Sequence, residues 1–250
     1  MKLTAIGFFS LLILSILFST SSQAASRHNK AITTSPVEYS SPDGVTLKGY
    51  IAFDPTIKGK RPGVLIIHEW WGHNEYARRR ARLLAREGYT ALAVDMYGDG
   101  IEAGHPDEAG KFASEIAKNH DLARARFLSA MELLKKHDSV DGSRIAAIGY
   151  CFGGSVVLHM ARSGMDLLGV ASFHGGLSSS KSDKPGKIRA KIFIAHGALD
   201  VMEPPEDVAS FKAEMKAEGA DMLFITYDDA LHSFTNPAAD DYARKFNLPL

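Results

Sequence analysis

The sequence predicts an α/β protein with a mainly parallel central sheet and helices on both faces. Apolar, strand-like runs alternate with helical patterns between residues 63 and 227, which is typical of parallel sheets. Residues 64–67 are apolar throughout, as expected for a strand that is covered on both faces. Most connections are short and no internal repeat is visible, so these elements are predicted to form one domain over residues 37–250.

The N-terminus has the pattern of a secretory signal peptide. Lys2 precedes an apolar stretch over residues 3–18, which is shorter than the roughly 20 residues that span a bilayer. The small residues Ser22 and Ala24 on either side of Gln23 predict cleavage after Ala24 and export to a bacterial periplasm or the medium, with retention as a membrane anchor as the alternative. The remaining chain is long enough for one well-buried domain, and residues 25–36 are predicted to be a flexible lead-in.

The predicted elements follow in chain order. Residues 37–41 and 45–53 flank Pro42-Asp43-Gly44 and are predicted to form an antiparallel hairpin. Further strands are predicted over residues 64–67, 89–97, 145–150, 167–173, 191–195 and 222–227, and helices over 74–86, 107–118, 120–137, the stretch after Cys151, and 206–218. The first helix carries five arginines that are expected on a solvated face: Arg78, Arg79, Arg80, Arg82 and Arg86. No convincing amphipathic helix is predicted after His232, so we expect that the chain is truncated there or has an unusual end.

Charge and cysteine content narrow the class of partner. The chain has 29 basic and 29 acidic residues, a balance that does not favour nucleic acid or an anionic membrane as partner. Cys151 is the single cysteine, so an intramolecular disulfide is impossible, and an unpaired cysteine in an exported protein favours a chemical role. We expect a monomer that acts on a small molecule, without a cofactor, a metal or stable membrane association after cleavage.

Cys151 lies in a pattern that is typical of a nucleophile elbow. Gly149-Tyr150-Cys151-Phe152-Gly153 joins a predicted strand to a predicted helix. The glycines leave room for the sharp turn, and the helix N-terminus that follows favours a negatively charged thiolate. The alternative is that Cys151 is a small buried side chain in a glycine-rich turn.

Asp200 and His232 complete a candidate triad with Cys151. Each of the three follows a predicted strand, and their order along the chain is nucleophile, acid and histidine. The thiol needs a base, and the imidazole needs a carboxylate that fixes its tautomer. Taken singly, Asp200 could cap a turn and His232 could lie in a surface loop. His174 and His196 also follow strands, but their short loops favour structural roles.

Five motifs together resemble the dienelactone hydrolase family of α/β-hydrolases over most of residues 37–240. They are H-E-W-W-G at 68–72, D-M-Y-G at 95–98, G-Y-C-F-G-G at 149–154, H-G-A-L-D at 196–200 and H-S-F-T-N-P at 232–237. The resemblance implies the α/β-hydrolase fold and the hydrolysis of small esters or lactones. It also implies that Cys151 is the nucleophile, His232 the base and Asp200 the acid that orients it.

Glu69 follows strand three in the first of these motifs. The resemblance implies that Glu69 holds the resting thiol and helps to remove its proton, and that the backbone N–H groups of Trp70 and Phe152 form an oxyanion hole. A carboxylate near a thiol disfavours a second negative charge, so a resting thiol would be less prone to oxidation. The alternative is that Glu69 pairs with an arginine. His68 and His73 lack the helical spacing of a zinc site.

One departure from the family pattern bears on the substrate. Family members that cleave dienelactones carry an arginine four residues after the catalytic histidine, and this chain has Asn236 there. Lys111 could substitute for a substrate-binding arginine, with Arg124 or Arg126 as weaker candidates. We therefore expect a native substrate other than a dienelactone.

Aromatic and apolar residues near these motifs predict an apolar pocket for an ester or lactone with a hydrophobic part. They are Trp70, Trp71, Tyr97, Phe152 and Met202, and Asn236 is expected to line the same pocket. A thioesterase or peptidase on the same triad, and a non-catalytic ligand-binding protein on the same fold, remain alternatives.

Overall fold

Eight strands form one sheet in the order β1-β2-β4-β3-β5-β6-β7-β8. The computed structural model describes residues 31–178 and 186–250, so the predicted signal peptide and most of the polar loop around residue 180 lie outside the described residues. The strands are β1 (Thr33–Ser40), β2 (Thr46–Phe53), β3 (Arg61–Ile67), β4 (Thr90–Val94), β5 (Val140–Tyr150), β6 (Gly169–Phe173), β7 (Lys191–Gly197) and β8 (Met222–Tyr227). β3 to β8 pair in parallel, while β1 and β2 are antiparallel to their neighbours. The mainly parallel sheet is thus confirmed.

The predicted hairpin is present, with a longer first strand. Ser40 pairs with Thr46, and Gly44 takes a φ of 84° in the turn. β1 starts at Thr33, which pairs with Phe53, so the last four residues of the predicted flexible lead-in are in fact strand. The reason is that β2 offers hydrogen-bonding groups along its whole length, which a polar segment can use even without an apolar pattern.

Helices cover both faces of the sheet, as predicted. They are α1 (Glu75–Arg86), α2 (Pro106–Lys118), α3 (His120–Lys135), α4 (Phe152–Arg162), α5 (Pro205–Ala217) and α6 (Ala239–Phe246). α1 lies on one face, where Ala77, Ala81 and Ala85 are fully buried; these small residues recur every four positions, so the helix approaches the sheet closely. Larger side chains of α3, α4 and α5 fill the other face.

The prediction that no helix follows His232 is wrong. α6 has Asp240 and Asp241 in its first turn and Arg244 and Lys245 in its last, which complements the helix dipole. Its apolar face includes the buried Ala239 and two aromatic residues, Tyr242 and Phe246, which pack on Trp71 with ring centroids 4.4 and 5.8 Å away. The helix is only 8 residues long, so its periodic pattern extends over little more than two turns and is hard to recognise in the sequence.

β4 is shorter than the strand predicted over residues 89–97. It ends at Val94 because the carboxylate of Asp95 accepts hydrogen bonds from the backbone N–H groups of Tyr97, Gly98 and Gly100 and so bends the chain. The loop that follows begins beside the carboxyl end of β3, because β3 and β4 are parallel neighbours and Ile67 lies opposite Val94. None of the helices in residues 31–178 and 186–250 is long and apolar enough to cross a membrane.

Candidate active site

Five side chains of interest lie at one edge of the sheet. Glu69, Cys151, His174, Asp200 and His232 follow β3, β5, β6, β7 and β8, respectively. The carboxyl ends of parallel strands meet at the same edge, so residues that are up to 163 positions apart come together. All of them are buried except Cys151, which is half-buried.

The elbow at Cys151 has the strand-turn-helix geometry that its glycines predict. Cys151 precedes α4 with a φ of 52°, a conformation that L-residues adopt only under constraint. A Cβ atom on Gly149 would lie 1.9 Å from the carbonyl oxygen of Gly153, and one on Gly153 would lie 2.3 Å from that of Ile67. Both positions therefore need glycine, and the turn presents Cys151 at the start of the helix.

His232 is oriented by Asp200. The Nδ1 atom of His232 lies 2.7 Å from Oδ2 of Asp200, and each residue is only 4% exposed. The Nε2 atom is also buried and has no hydrogen-bond partner among the described residues. Burial alone would lower the pKa of His232, but the hydrogen bond with Asp200 and the neighbouring sulfur of Cys151 outweigh it and raise the pKa to about 10. The imidazole thus lies beside the thiol with one nitrogen anchored.

Glu69 is fixed by two residues from the loop after His232. Its Oε2 accepts a hydrogen bond of 2.6 Å from Nδ2 of Asn236, and its Oε1 accepts one of 3.2 Å from Oγ of Ser233. Burial raises the pKa of Glu69 to about 7, although these hydrogen bonds and His232 partly offset the effect. Within the described part of the chain, no arginine forms a salt bridge with Glu69, contrary to the alternative raised by the sequence.

The segment that carries the Trp70 N–H group is held by His68. Since a carbonyl can only accept and a backbone N–H can only donate, Nδ1 of His68 donates to the Glu69 carbonyl at 2.6 Å and Nε2 accepts from Met96 N at 3.2 Å. Burial lowers the pKa of His68, which keeps the ring neutral. The N–H groups of Trp70 and Phe152 donate to no other described residue, so both predicted oxyanion-hole donors are available to a ligand.

Three further histidines near the strand ends are buried. His174 is 1% exposed, and burial followed by the charge of His232 holds its pKa well below the usual range. His196 packs on Phe224, and burial lowers its pKa. Burial, with His68 next in importance, lowers the pKa of His73 to about 4. In residues 31–178 and 186–250, no three His, Cys, Asp or Glu side chains are grouped so that they could hold a metal ion.

A cavity of about 310 Å³ opens beside the elbow. It is lined by apolar residues of α2, α3 and α4, among them Ile116, Ala123, Phe152 and Val156, and by polar residues that include His120, Ser155, His159 and Arg162. A larger groove of about 600 Å³ runs between β1 and α3, but its lining residues, such as Tyr39 and Leu128, do not belong to the strand ends that carry the site. The smaller cavity adjoins the elbow through Phe152, which the sequence analysis named as a pocket residue, whereas its walls from α2 and α3 carry no pattern that sequence reasoning could have used.

The residues predicted to line the pocket divide into two groups. Trp71 is 3% exposed beneath α6, and the side-chain amide of Asn236 binds Glu69 and the N–H of Ala238. Both thus contact other parts of the protein rather than an open pocket, contrary to the sequence prediction. Tyr97 is buried near Phe152 and donates to the Trp70 carbonyl at 3.0 Å, while Met202 is 49% exposed after Asp200.

Arg126, one of the suggested substitutes for a substrate-binding arginine, forms hydrogen bonds within the protein instead. Its guanidinium donates to the carbonyl groups of Met96 and Tyr97 and to the carboxylate of Asp43. Arg124 is exposed and lines the groove on the far side of α3. Lys111 is exposed on α2. Neither arginine is placed to bind a substrate carboxylate at the site.

Comparisons with known proteins agree with this geometry. The sequence profile of the dienelactone hydrolase family matches residues 47–247. The chain is 29% identical to protein usf of Aquifex pyrophilus, over 80% of this chain and 86% of that protein, and 27% identical to a protein of Aquifex aeolicus named "Putative carboxymethylenebutenolidase", with the same coverage. Among solved structures, it resembles a dienelactone hydrolase-like promiscuous phosphotriesterase from metagenomic libraries, with 33% identity, a TM-score of 0.80, and coverage of 85% of this chain and 88% of that one. The chain therefore belongs to the dienelactone hydrolase family of α/β-hydrolases, enzymes that act on lactone and ester bonds.

Proposed function

We propose that this hydrolase cleaves small, uncharged esters or lactones through a Cys151–His232–Asp200 triad and an acyl-enzyme intermediate. The observation that carries the proposal is the buried hydrogen bond of 2.7 Å between His232 and Asp200 beside the elbow. It leaves Nε2 as the one ring nitrogen that can exchange a proton with the thiol or the leaving group. The neighbouring sulfur of Cys151 contributes to the raised pKa of His232, which supports the pairing of these two groups.

In the first half of the reaction, the sulfur of Cys151 attacks the carbonyl carbon while its proton passes to Nε2 of His232. Negative charge then develops on the carbonyl oxygen, and the N–H groups of Trp70 and Phe152 stabilise it. The raised pKa of His232 favours the imidazolium, which is the form that protonates the departing alkoxide. The products of this half are the thioester on Cys151 and the alcohol, or the ring-opened chain when the substrate is a lactone.

In the second half, His232 removes a proton from water and the resulting hydroxide attacks the thioester carbonyl. The same backbone N–H groups stabilise the second oxyanion. The carbon–sulfur bond breaks, Cys151 regains its proton from His232, and the carboxylic acid leaves. No cofactor is needed in either half, because the thiol, the imidazole and water supply all the atoms that move.

Glu69 acts in this scheme as the group that restrains the thiol until substrate arrives. With a pKa of about 7, its carboxyl group is partly protonated at neutral pH and can accept or release a proton within the physiological range. Its carboxylate form disfavours a thiolate on Cys151 by charge repulsion. Because Asn236 and Ser233 hold both oxygens, the carboxyl group has a defined position in the site.

The size and charge of the site indicate the substrate class. A cavity of about 310 Å³ lies at the small end of ligand pockets, so a short acyl group fits it better than a long chain or a peptide. Arg162 lines this cavity but is paired with Glu214, and Asn236 and Arg126 are likewise engaged in contacts within the protein, so these three residues offer little to a substrate carboxylate. A neutral ester or lactone with a compact apolar part is thus the favoured substrate.

A second candidate activity is the hydrolysis of phosphotriesters. It is favoured by the similarity to the structure described as a promiscuous phosphotriesterase, at 33% identity over 85% of this chain. The Cys151 sulfur would attack phosphorus instead of carbon, His232 would protonate the departing alkoxide, and water would then release the phosphodiester from the sulfur, while the oxyanion-hole donors face the phosphoryl oxygen. This activity is expected to be weaker than ester hydrolysis, because a site complementary to the tetrahedral transition state of acyl transfer fits the trigonal-bipyramidal transition state at phosphorus less well.

One panel of substrates tests these proposals. Purified protein would be assayed with p-nitrophenyl acetate and butyrate, a thioester, an enol-lactone and a p-nitrophenyl dialkyl phosphate, with the Cys151→Ala protein as the blank. We expect turnover of the short ester or the lactone, and a burst of p-nitrophenol when deacylation is slow. Activity on the thioester alone would favour a thioesterase, and activity on none would favour a ligand-binding protein on this fold.

A further inference from the structure

His174 has no role in the proposed chemistry, yet it touches the nucleophile's own backbone. It follows β6 with a φ of 40°, and its own N–H donates to the Ala195 carbonyl at 2.8 Å. The N–H of Cys151 donates to two acceptors, the Phe173 carbonyl at 3.0 Å and Nδ1 of His174 at 3.2 Å. His174, which has a positive φ after β6, thus contacts the elbow residue Cys151, which has a positive φ after the neighbouring strand β5.

The tautomer of His174 follows from this contact. Because a backbone N–H can only donate, Nδ1 of His174 must be the acceptor. The hydrogen of the neutral ring is then on Nε2, which donates to Oγ1 of Thr235 at 2.7 Å. The other tautomer would place two N–H groups against each other at Cys151. The Cys151 N–H therefore selects the tautomer, and the Thr235 hydroxyl, which accepts from Nε2–H, holds the ring in that form.

Thr235 is itself held in place from the other side. Its hydroxyl lies 2.7 Å from the hydroxyl of Tyr76, which accepts a hydrogen bond of 2.9 Å from Arg80. Arg80 also donates to the Thr235 carbonyl, and its guanidinium lies over the rings of Tyr76 and Tyr150 at 5.0 and 4.9 Å. Arg80, which the sequence placed on a solvated face, therefore packs within the site.

Thr235 belongs to the same loop as the base and the residues that hold Glu69. His232, Ser233 and Asn236 come from this loop, and Ser233 has a φ of 59°. One short segment therefore carries the imidazole and, through Thr235 and His174, also fixes the backbone that presents the thiol. This arrangement ties the position of the nucleophile to the position of its base.

We propose that Thr235 and His174 are a positioning pair that holds the Cys151 backbone in its elbow conformation and keeps the thiol aligned with His232. The inference rests on the proposed function, in which that alignment is needed for proton transfer. Neither residue bonds a reacting atom: His174 holds the Cys151 backbone and packs edge-on against the ring of His232, with centroids 5.3 Å apart, and Thr235 acts through His174. Small displacements of reacting groups are costly, and a shift of about 1 Å can reduce the rate on the order of 10²-fold.

The test uses two substitutions at Thr235 and one matched control elsewhere. Thr235→Val removes the hydroxyl but keeps the shape, and Thr235→Ser keeps the hydroxyl. Thr90→Val makes the same change in a more deeply buried threonine, 0% exposed, whose hydroxyl lies 2.7 Å from that of Ser139. Thr90 starts β4, so it lies at the sheet edge opposite the site.

We expect Thr235→Val to lower kcat roughly 10- to 100-fold with little change in KM. Thr235→Ser should retain most of the wild-type kcat. Thr90→Val should reduce the melting temperature to a similar extent but leave kcat near that of the wild type. His174→Phe should resemble Thr235→Val, and the double variant should lose little more, because the two residues act as one unit. Equal kcat values for Thr235→Val and Thr90→Val would overturn the inference, as would a Thr235→Ser protein as slow as Thr235→Val.

A second measurement does not depend on esterase activity. Cys151 is the only cysteine, so the rate of iodoacetamide alkylation as a function of pH reports on this thiol alone. With the pair broken, the imidazole no longer assists deprotonation of the thiol, so alkylation at neutral pH should be slower in Thr235→Val than in Thr235→Ser or Thr90→Val. If the wild type cleaves no ester, the proposed function fails, and these alkylation profiles still decide the inference: identical profiles in all four proteins would refute it.

Discussion

Replacing Glu69 with glutamine should make the protein more stable and less active. Glu69 is 2% exposed, and its two oxygens accept hydrogen bonds from Asn236 and Ser233. A glutamine side chain can keep both contacts, because its oxygen can accept from Asn236 and its NH₂ group can donate to the Ser233 hydroxyl. The substitution therefore removes the charge while it keeps the shape and the hydrogen bonds.

The size of the effect follows from the pKa of Glu69, which burial raises from 4.5 to about 7. Since the folded protein binds this proton more tightly than the unfolded chain, stability is greatest below pH 4.5 and falls as the pH rises through 7. A shift of roughly 2.5 units at 1.36 kcal/mol each corresponds to ~3 kcal/mol. Glu69→Gln avoids this loss, so it should be more stable than the wild type by ~3 kcal/mol at pH 8 and nearly equal to it at pH 4.5.

Urea unfolding at the two pH values measures the difference directly. For a chain of this length, ~3 kcal/mol corresponds to an increase in melting temperature of roughly 6–12 °C at pH 8. Glu115→Gln is the control, because Glu115 is exposed on α2 and the same change there should alter stability by less than about 0.5 kcal/mol at either pH. If Glu69 restrains the thiol as proposed, ester turnover by Glu69→Gln should fall while iodoacetamide alkylation becomes faster, because the substitution removes the negative charge.

Two results would refute this reasoning. Equal stability of the wild type and Glu69→Gln at pH 8 would mean that the Glu69 carboxylate is solvated well enough to ionise at no cost. Unchanged turnover and alkylation rates would mean that Glu69 has a purely structural role in anchoring the loop after His232.

Three further predictions concern the nucleophile, the substrate and processing. Cys151→Ala and His232→Ala should each reduce kcat by at least roughly 10³-fold, and the double variant should be scarcely slower, because the two groups act together; an active Cys151→Ala protein would refute the mechanism. A neutral p-nitrophenyl ester should be preferred over its carboxylate-bearing analogue, since Asn236 is bound to Glu69; a kcat/KM that favours the anionic ester would show that another cation, such as Lys111, binds it. The intact mass of the exported protein should correspond to a chain that begins near Ala25, whereas a mass that includes Met1 would indicate retention as an anchor.

The sequence by itself determined the fold class and the identity of the chemical groups. Continuous apolar runs, glycines two residues on each side of Cys151, and acid and histidine at later strand ends are local patterns, and local patterns follow from backbone geometry and burial that act over a few residues. The extent of β1 and the presence of α6 did not follow from such patterns. β1 depends on hydrogen bonds to β2, and α6 depends on the ring of Trp71, which lies far away in the sequence.

Only the tertiary structure decided which groups bind one another within the site. The sequence placed Asn236 in a substrate pocket and Arg80 on a solvated face, but folding brings Asn236 to the carboxylate of Glu69 and Arg80 to Thr235 and Tyr76. A side chain's partner is set by contacts across long sequence separations, and the same asparagine or arginine would be solvated if those strands ended elsewhere. The pKa values of Glu69 and His232 likewise depend on burial and on hydrogen bonds that exist only once the sheet has brought its strand ends together.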